Sequence, residues 1–454
     1  MLYRARLVSP QDSLRLRDQP DGGLVVDAAG RIAAAGPFPA VAAAHPGEEV
    51  RDLRPGWILP GLIDLHSHLP QYEAVAMDGH ELLPWLEHYI FPAEIRFQDP
   101  DWAARAARTY FHDQLALGTT TAVVYGSVHA EALDRAFQEA ERCGIRAVLG
   151  KVMMDRNTLE ELRETPAASL AESDALCRAW HGRDGGRLQY AFTPRFAPTC
   201  TAELLSGAGR LAARHGAYVQ THLSENLDEL RWVRDLFPEA RNYTDVYARA
   251  GLLGPRTLLG HGIHLDPAER RAIRDAGAAI VHCPSSNAFL KSGIMPLRRW
   301  LDEGLTVGLG TDVGAGPTLS MWAEMAMACT ASKLRWAGQA TQARRLGDLD
   351  LPQAERERII QALALEPDPP VDPAQAFILA TLGGARALGL EDRIGSLDPG
   401  KEADFIVVDP ARADPAPSRG LEPADPVLCR LLYRGGAEMV RASYVRGRLC
   451  HSLA

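Results

Sequence analysis

The chain has 454 residues, of which 46% are apolar and 24% charged, with a formal net charge of −9. An acidic protein has no general electrostatic attraction for nucleic acid or anionic lipid, and no run of about 18 apolar residues offers a membrane span. The composition therefore points to a soluble enzyme or binding protein whose partner is a small neutral molecule, with no nucleic acid and no membrane.

Residues 1 to about 60 are short β-like runs broken by Gly and Pro, clearest at Leu24–Asp27, Gly30–Ile32 and Ile58–Leu59. The opening MLYRARLVSPQDSL has no apolar stretch of the kind a leader carries, and the expected compartment is the cytoplasm. Next comes Pro60-Gly61-Leu62-Ile63-Asp64-Leu65-His66-Ser67-His68, an apolar strand ending in two histidines two residues apart. Side chains alternate along a strand, so His66 and His68 can aim at one spot beyond its end.

From there to about residue 396 short apolar runs alternate with helical patterns. The candidate strands are Leu62–Leu65, Thr120–Val124, Ala147–Val152, Leu188–Phe192, Tyr218–Thr221, Thr257–Leu259, Ala279–Val281 and Val307–Leu309. Helical patterns lie between them at Trp102–Leu117, Ala202–Arg214, Asp228–Leu236 and Pro267–Ala276. This is the order of an α/β chain folded as a (β/α)8 TIM-like barrel. Residues around 340–370 are charged and helical and are expected outside the barrel. The last part turns β-like again at Phe405–Val408 and Tyr444–Arg448, with a Pro-, Ala- and Asp-rich surface excursion over Asp409–Pro426. Two β-rich ends around an α/β middle predict a small composite β-sandwich domain from residues 1–60 and 397–454, with the barrel over 61–396.

In such a barrel function sits at the C-terminal ends of the strands. The first candidate strand delivers His66 and His68, the fifth His222 and then Glu225, the sixth His261, the seventh His282 and the eighth Asp312. Singly, each reads as a hydrogen-bonded loop histidine or a helix cap; together, on one scaffold, they read as a site. Three imidazoles and a carboxylate suit a divalent ion of intermediate softness, zinc first and iron(II) second. Such an ion lowers the pKa of a bound water towards about 7, and Glu225 is placed to carry a proton to a leaving group. The residues alone point to metal-assisted hydrolysis of a small molecule.

These motifs resemble the amidohydrolase superfamily, and Gly400-Lys401-Glu402-Ala403-Asp404 is similar to a segment of its small composite domain. Within the superfamily the chain resembles the guanine deaminases, through His68-Leu69-Pro70-Gln71-Tyr72, Phe91-Pro92-Ala93-Glu94-Ile95-Arg96-Phe97, Thr193-Pro194-Arg195-Phe196 and His222-Leu223-Ser224-Glu225-Asn226. Gly150–Asp155, Asn242-Tyr243-Thr244 and His282-Cys283-Pro284 follow the same pattern. One departure is Val313-Gly314-Ala315-Gly316 after the last candidate ligand, where Ala-Gly-Gly is expected after the valine. The resemblance implies one zinc per subunit (iron(II) being the alternative) held by His66, His68, His222 and Asp312. It implies a guanine substrate held by Gln71, Arg195 and Phe196 beside His68, His222, Glu225 and Asp312, and a homodimer. Asp312 would take a proton from the water, Glu225 would protonate N3 and then the departing amine, and His261 would orient the attacked centre or the water. The implied products are xanthine and ammonia.

Other readings stand beside this one. The same scaffold could act on 8-oxoguanine, another aminopurine, a triazine or a pterin, or serve as a non-catalytic metal-binding scaffold; an intact acid/base glutamate beside four candidate ligands disfavours the last. The seven cysteines form no C-x-x-C, against both a disulfide framework and a thiolate-zinc deaminase site. His80-Glu81 lacks the second histidine of a zincin helix, and Gly395–Lys401 mimics a phosphate loop but is followed by Glu402 where Ser or Thr must meet magnesium. Lys151, after the third candidate strand, leaves open a bridging lysine carboxylate and a second metal.

Overall fold

The computed structural model describes residues 1–77, 82–349, 351–362, 367–413 and 424–453. In chain order the strands are β1 Leu2–Pro10, β2 Leu16–Val26, β3 Ile32–Pro37, β4 Val50–Pro60, β5 Leu62–His68, β6 Thr119–Tyr125, β7 Arg146–Gly150, β8 Val152–Met153, β9 Leu188–Pro194 and β10 Tyr218–Leu223. They continue as β11 Thr257–His261, β12 Ala279–His282, β13 Thr306–Leu309, β14 Phe405–Val408, β15 Val440–Val445 and β16 Arg448–Ser452. All eight strands expected of the barrel are present, as β5, β6, β7, β9, β10, β11, β12 and β13, paired in parallel in that order. The short β8 pairs β9 beside this path.

The barrel strands read as unbroken apolar runs because both of their faces are covered. Ile63, Leu65, Val123, Val148, Ala191, Tyr218, Leu258, Ala279 and Val281 meet in an interior cluster, together with Ala385, Leu388 and Ile394 from the chain beyond the last strand. The opposite faces pack on helices, as Val124 and Leu149 do with Phe111 and Phe137. The helices start and stop where local chemistry directs. Pro267–Ala276 opens on a reciprocal Asp266/Glu269 capping box and ends at Gly277 with φ of 71°. Bonds between the strand exits bring β13 back to β5: the Asp312 amide donates to the His66 carbonyl at 2.7 Å, and the His68 amide to the Val313 carbonyl at 2.6 Å.

The two ends of the chain build one hydrogen-bonded path of seven strands, ordered β16-β15-β14-β4-β1-β2-β3. Within it β1 falls in the β-like stretch expected over residues 1–60, though not singled out there, and it alternates over Tyr3 to Leu7. Tyr3, Ala5 and Leu7 are buried, while Arg4 and Arg6 turn outward to Asp21 and Asp18 on β2. Tyr444–Arg448, expected as one run, is instead a hairpin: Arg446 (φ 49°) and Gly447 (φ 69°) make the turn between β15 and β16. The helices Met321–Gly347 and Gln353–Ala362 occupy the stretch expected to be helical. Most of the expected surface excursion over 409–426 lies outside the described residues, which resume in a helix over Ala424–Arg434.

Candidate active site

The site begins with a defect in β5. Asp64 pairs with Ala122 and Ser67 with Val124, so three steps on β5 face two on β6. A bulge of this kind re-aims the side chains that follow it. Leu65 packs in the barrel interior, yet His66 also joins the mouth of the barrel, His68 follows on the same side, and Ser67 turns outward to the Tyr110 hydroxyl. Asp64 holds the bulge: its Oδ1 accepts from the amides of His66 (3.2 Å) and Thr311 (3.0 Å), and its Oδ2 from the Thr311 hydroxyl (2.7 Å) and Gln114 (3.2 Å). A carboxylate buried there pins strand one to strand eight.

Four donor atoms then converge. Nε2 of His66 and Nε2 of His68 each lie 3.1 Å from Oδ1 of Asp312. The two nitrogens are 3.3 Å apart, and Nε2 of His222 is 3.2 Å from that of His68. The Nδ1–H of His222 donates to the Arg195 carbonyl at 2.7 Å, which leaves its Nε2 carrying the lone pair. Burial pushes the His66 imidazole down to about 4, lowers that of His68, and holds that of His222 well below its ordinary value, so burial disfavours the charged form of all three rings. Imidazole lone pairs facing one another and a carboxylate oxygen at such distances are unfavourable unless a cation lies between them. A tetrahedral ion with bonds of about 2.0–2.1 Å separates its ligands by about 3.3 Å, which fits these spacings.

His261 is a fifth candidate, since donor atoms of His66, His222, His261 and Asp312 all fall within 4.8 Å of one another. Its Nε2, however, stands 3.7 Å from Oδ2 of Asp312 and 3.5 Å from Oε2 of Glu225, while its Nδ1 meets Oδ1 of Asn287 at 2.9 Å. Burial works against its charge, but Glu225 and Asp312 outweigh it and raise its pKa. Set farther from Asp312 than the rings of His66 and His68 and held by Asn287, His261 is placed as a neighbour of the two carboxylates, outside the four-donor set. His282 is buried and pushed down to about 3 by burial, and its Nδ1 has no partner among the described residues.

One pocket gathers the rest. His68, Gln71, Arg195, Phe196, His222, Glu225, His261 and Asp312 all line it, with Leu82, Trp85, Leu86 and Leu290 forming an apolar cover. Burial pushes the Glu225 carboxyl up to about 7. Arg195 gives both contacts of its Nη1 to Glu94 at 2.7 Å, and the Gln71 amide donates to the same carboxylate at 2.9 Å. The Gly314 amide donates to Oε1 of Gln71 at 3.3 Å, so both ends of that side chain are fixed. The ring of Phe196 meets His222 edge-on at 6.4 Å and Trp232 at 6.2 Å. Ser224, His261 and Asp312 have φ of 50°, 69° and 49°, the kind of backbone strain that collects where function needs an exact aim.

Sequence reasoning did not assign roles to Asp64, Glu94, Tyr125, Ser286, Asn287 or Ser292. Tyr125 packs its ring against His68 at 4.5 Å and His66 at 4.7 Å, and the Ser286 hydroxyl donates to Oδ2 of Asp312 at 2.6 Å. Asp64 and Glu94 sit inside motifs already singled out, which was the available signal. Lys151 is committed elsewhere: its fully buried ammonium pairs with Glu164 and, at 3.6 Å, with Glu172, not with the imidazole cluster.

A parallel barrel that gathers imidazoles and carboxylates at the C-terminal ends of strands one, five, six and eight defines a class of metal-using hydrolases. The amidohydrolase family profile matches residues 57–348 and 352–449. The chain is 37% identical to the guanine deaminase of Escherichia coli (strain K12) over 406 residues, 88% of this chain and 84% of that one. The crystal structure of guanine deaminase from Bradyrhizobium japonicum matches with a TM-score of 0.90 at 33% identity, covering 100% of this chain and 99% of that chain. Guanine deaminase from C. acetobutylicum with bound guanine in the active site matches with a TM-score of 0.87 at 30% identity over 99% of both chains. The chain belongs to the amidohydrolase family, on its guanine deaminase branch.

Proposed function

We propose that this chain hydrolyses the exocyclic C2–N bond of guanine, giving xanthine and ammonia, at a divalent metal held by His66, His68, His222 and Asp312. The observation that carries the reading is the convergence at one pocket of His68, His222 and Asp312, with His66 against them, a buried acid near neutrality and a pinned polar edge at Gln71 and Arg195. Zinc is the ion the donor set suits best, one per subunit, with iron(II) second. Bound there, it supplies a water acidic enough to attack near neutral pH.

The protein's own groups do the rest. Asp312 accepts the proton of the attacking water while Ser286 holds its other oxygen. Glu225 delivers a proton to N3 as oxygen bonds to C2, then takes up the proton left on the C2 oxygen and passes it to the amine as the C2–N bond breaks, and the proton held by Asp312 returns to Glu225 as ammonia leaves. His261, held by Asn287, stands between the two carboxylates and orients the water and the attacked carbon. Nε and Nη2 of Arg195, without protein partners among the described residues, can donate to O6 of the base. Phe196 offers a ring face or edge to the flat purine, and the apolar cover keeps bulk water out.

The same reading treats residues 1–60 with 397–454 as one unit and 61–396 as the catalytic barrel, and takes the protein as a cytoplasmic homodimer. Free thiols at all seven cysteines fit a reducing compartment, and among the described residues no helix is long and apolar enough to cross a membrane. The test is incubation of purified, metal-assayed protein with guanine and, in parallel, 8-oxoguanine, other aminopurines, a triazine and a pterin, with ammonia and ultraviolet detection. Rapid conversion of guanine to xanthine supports the proposal; faster release of ammonia from another heterocycle would replace guanine as the substrate.

A further inference from the structure

Glu225 has two oxygens in different surroundings. Oε1 accepts a 2.8 Å hydrogen bond from the Ser292 hydroxyl, and Oε2 faces His261 at 3.5 Å on the pocket side. Ser292 is 5% exposed and lies in the loop after the short helix Pro284–Phe289, 67 residues from Glu225 in sequence. Its own position is fixed twice: its amide donates to the Asn287 carbonyl at 2.9 Å, and its carbonyl accepts from Nε2–H of His264 at 2.8 Å. His264 belongs to the loop after β11, and its amide and that of Ile263 both donate to the Ser224 carbonyl at 3.1 Å. Ser224 immediately precedes Glu225. The loops after three successive strands thus form a ring: Ser224 to His264, His264 to Ser292, and Ser292 back to Glu225.

We infer that Ser292 is a positioning residue that makes Oε1 of Glu225 a standing acceptor, so that Oε2, toward His261 and the substrate, is the oxygen that carries and releases the proton. The chemistry is direct. A carboxylic acid whose Oε1 already accepts a hydrogen bond keeps carbonyl character there, so its proton resides on Oε2. Without that bond the carboxyl can rotate or protonate on the wrong oxygen, and the fraction of complexes aimed at N3 falls. Substrate binding through Gln71, Arg195 and Phe196 does not depend on Ser292. The inference rests on the guanine reading above.

The experiment is a kinetic comparison of the metal-loaded wild type, Ser292→Ala, Ser292→Thr, Glu225→Gln and the Glu225→Gln/Ser292→Ala double variant on guanine. Ser292→Ala is expected to lower kcat at least about tenfold with KM within about twofold and metal content unchanged, and Ser292→Thr, which keeps the hydroxyl, to recover most of the loss. The double variant is expected to be no slower than Glu225→Gln alone, because a group acting only through Glu225 has nothing left to position. Wild-type kcat in Ser292→Ala, or a double variant slowed by the product of the two single effects, would overturn the inference. A wild type inert toward guanine would instead overturn the function on which it rests. If Ser292→Ala misfolds, Ser292→Cys decides, because a thiol is a weak donor of similar size: a folded, metal-loaded Cys variant with lowered kcat and unchanged KM supports the hydroxyl's role, and wild-type kcat overturns it.

Discussion

At the scale of single residues, the proposed chemistry turns on Glu225. It is 3% exposed, its carboxyl is pushed up to about 7 by burial against the opposing pull of His261, and it lines the same pocket as His68, His222 and Asp312. Glu225→Gln keeps the shape and removes the proton; turnover of guanine should fall at least about a hundredfold while metal content by elemental analysis stays at the wild-type level. Near-normal turnover would remove Glu225 from the mechanism. This residue was legible in the sequence because it follows His222 by one short turn. Ser286, Asn287 and Ser292 were not, since the partners they hold lie 26, 26 and 67 residues away. An ordinary serine or asparagine in a loop carries no mark until the loop's path is known.

At the scale of elements, the site depends on how closely strands approach one another at the barrel mouth. Gly260 on β11 and Gly310 just past β13 leave room for His66. A Cβ on Gly260 would stand 2.7 Å from Cε1 of His66, and one on Gly310 would stand 2.8 Å from the His66 backbone nitrogen. Gly260→Ala should therefore tilt the His66 ring off the shared point, weakening metal affinity by about 10- to 100-fold, as loss of a ligand's support commonly does. Competition with a metallochromic chelator measures this, and unchanged affinity would show that the ring has room to retreat. The eight barrel strands were readable from the sequence because burial on both faces leaves unbroken apolar runs. The bulge in β5 was not, because it is set by the buried Asp64 and its partners just past the eighth strand and on the neighbouring helix. The spacing of His66 and His68 was right for a shared face, but the offset that brings both to the mouth beside Leu65 is a tertiary effect.

Over the whole molecule, the terminal sheet and the barrel are joined by buried charge. Arg146, on β7, has its Nε on Asp404 at 2.9 Å and its Nη2 on Glu402, and Glu402 also accepts from Arg393 at 3.0 Å and Arg446 at 2.9 Å. Burial alone would raise the Glu402 pKa, but Arg146 and its neighbours win and bring it to about 2. Because that pKa is depressed, the stabilisation is present above the ordinary glutamate range and fades as pH falls toward about 2. Arg146→Met leaves buried acids short of a partner and should cost about 3 kcal/mol in denaturant unfolding, the low end of such losses because Arg393 and Arg446 still reach Glu402. An unchanged midpoint would mean the joint is held by packing alone. The run of apolar residues in β14 was visible in the sequence, but its partner β4 lies hundreds of residues earlier, and only the fold shows that Ile406 pairs with Leu59. The central claim is that a metal held at the barrel mouth drives deamination of guanine. It is tested most directly by the rate at which one preparation converts guanine to xanthine as isolated, after removal of metal by a chelator, and after return of zinc. The account predicts activity that vanishes on stripping and returns in full at one zinc per chain; a stripped protein that turns guanine over undiminished, or a loaded one that leaves guanine intact, would contradict it.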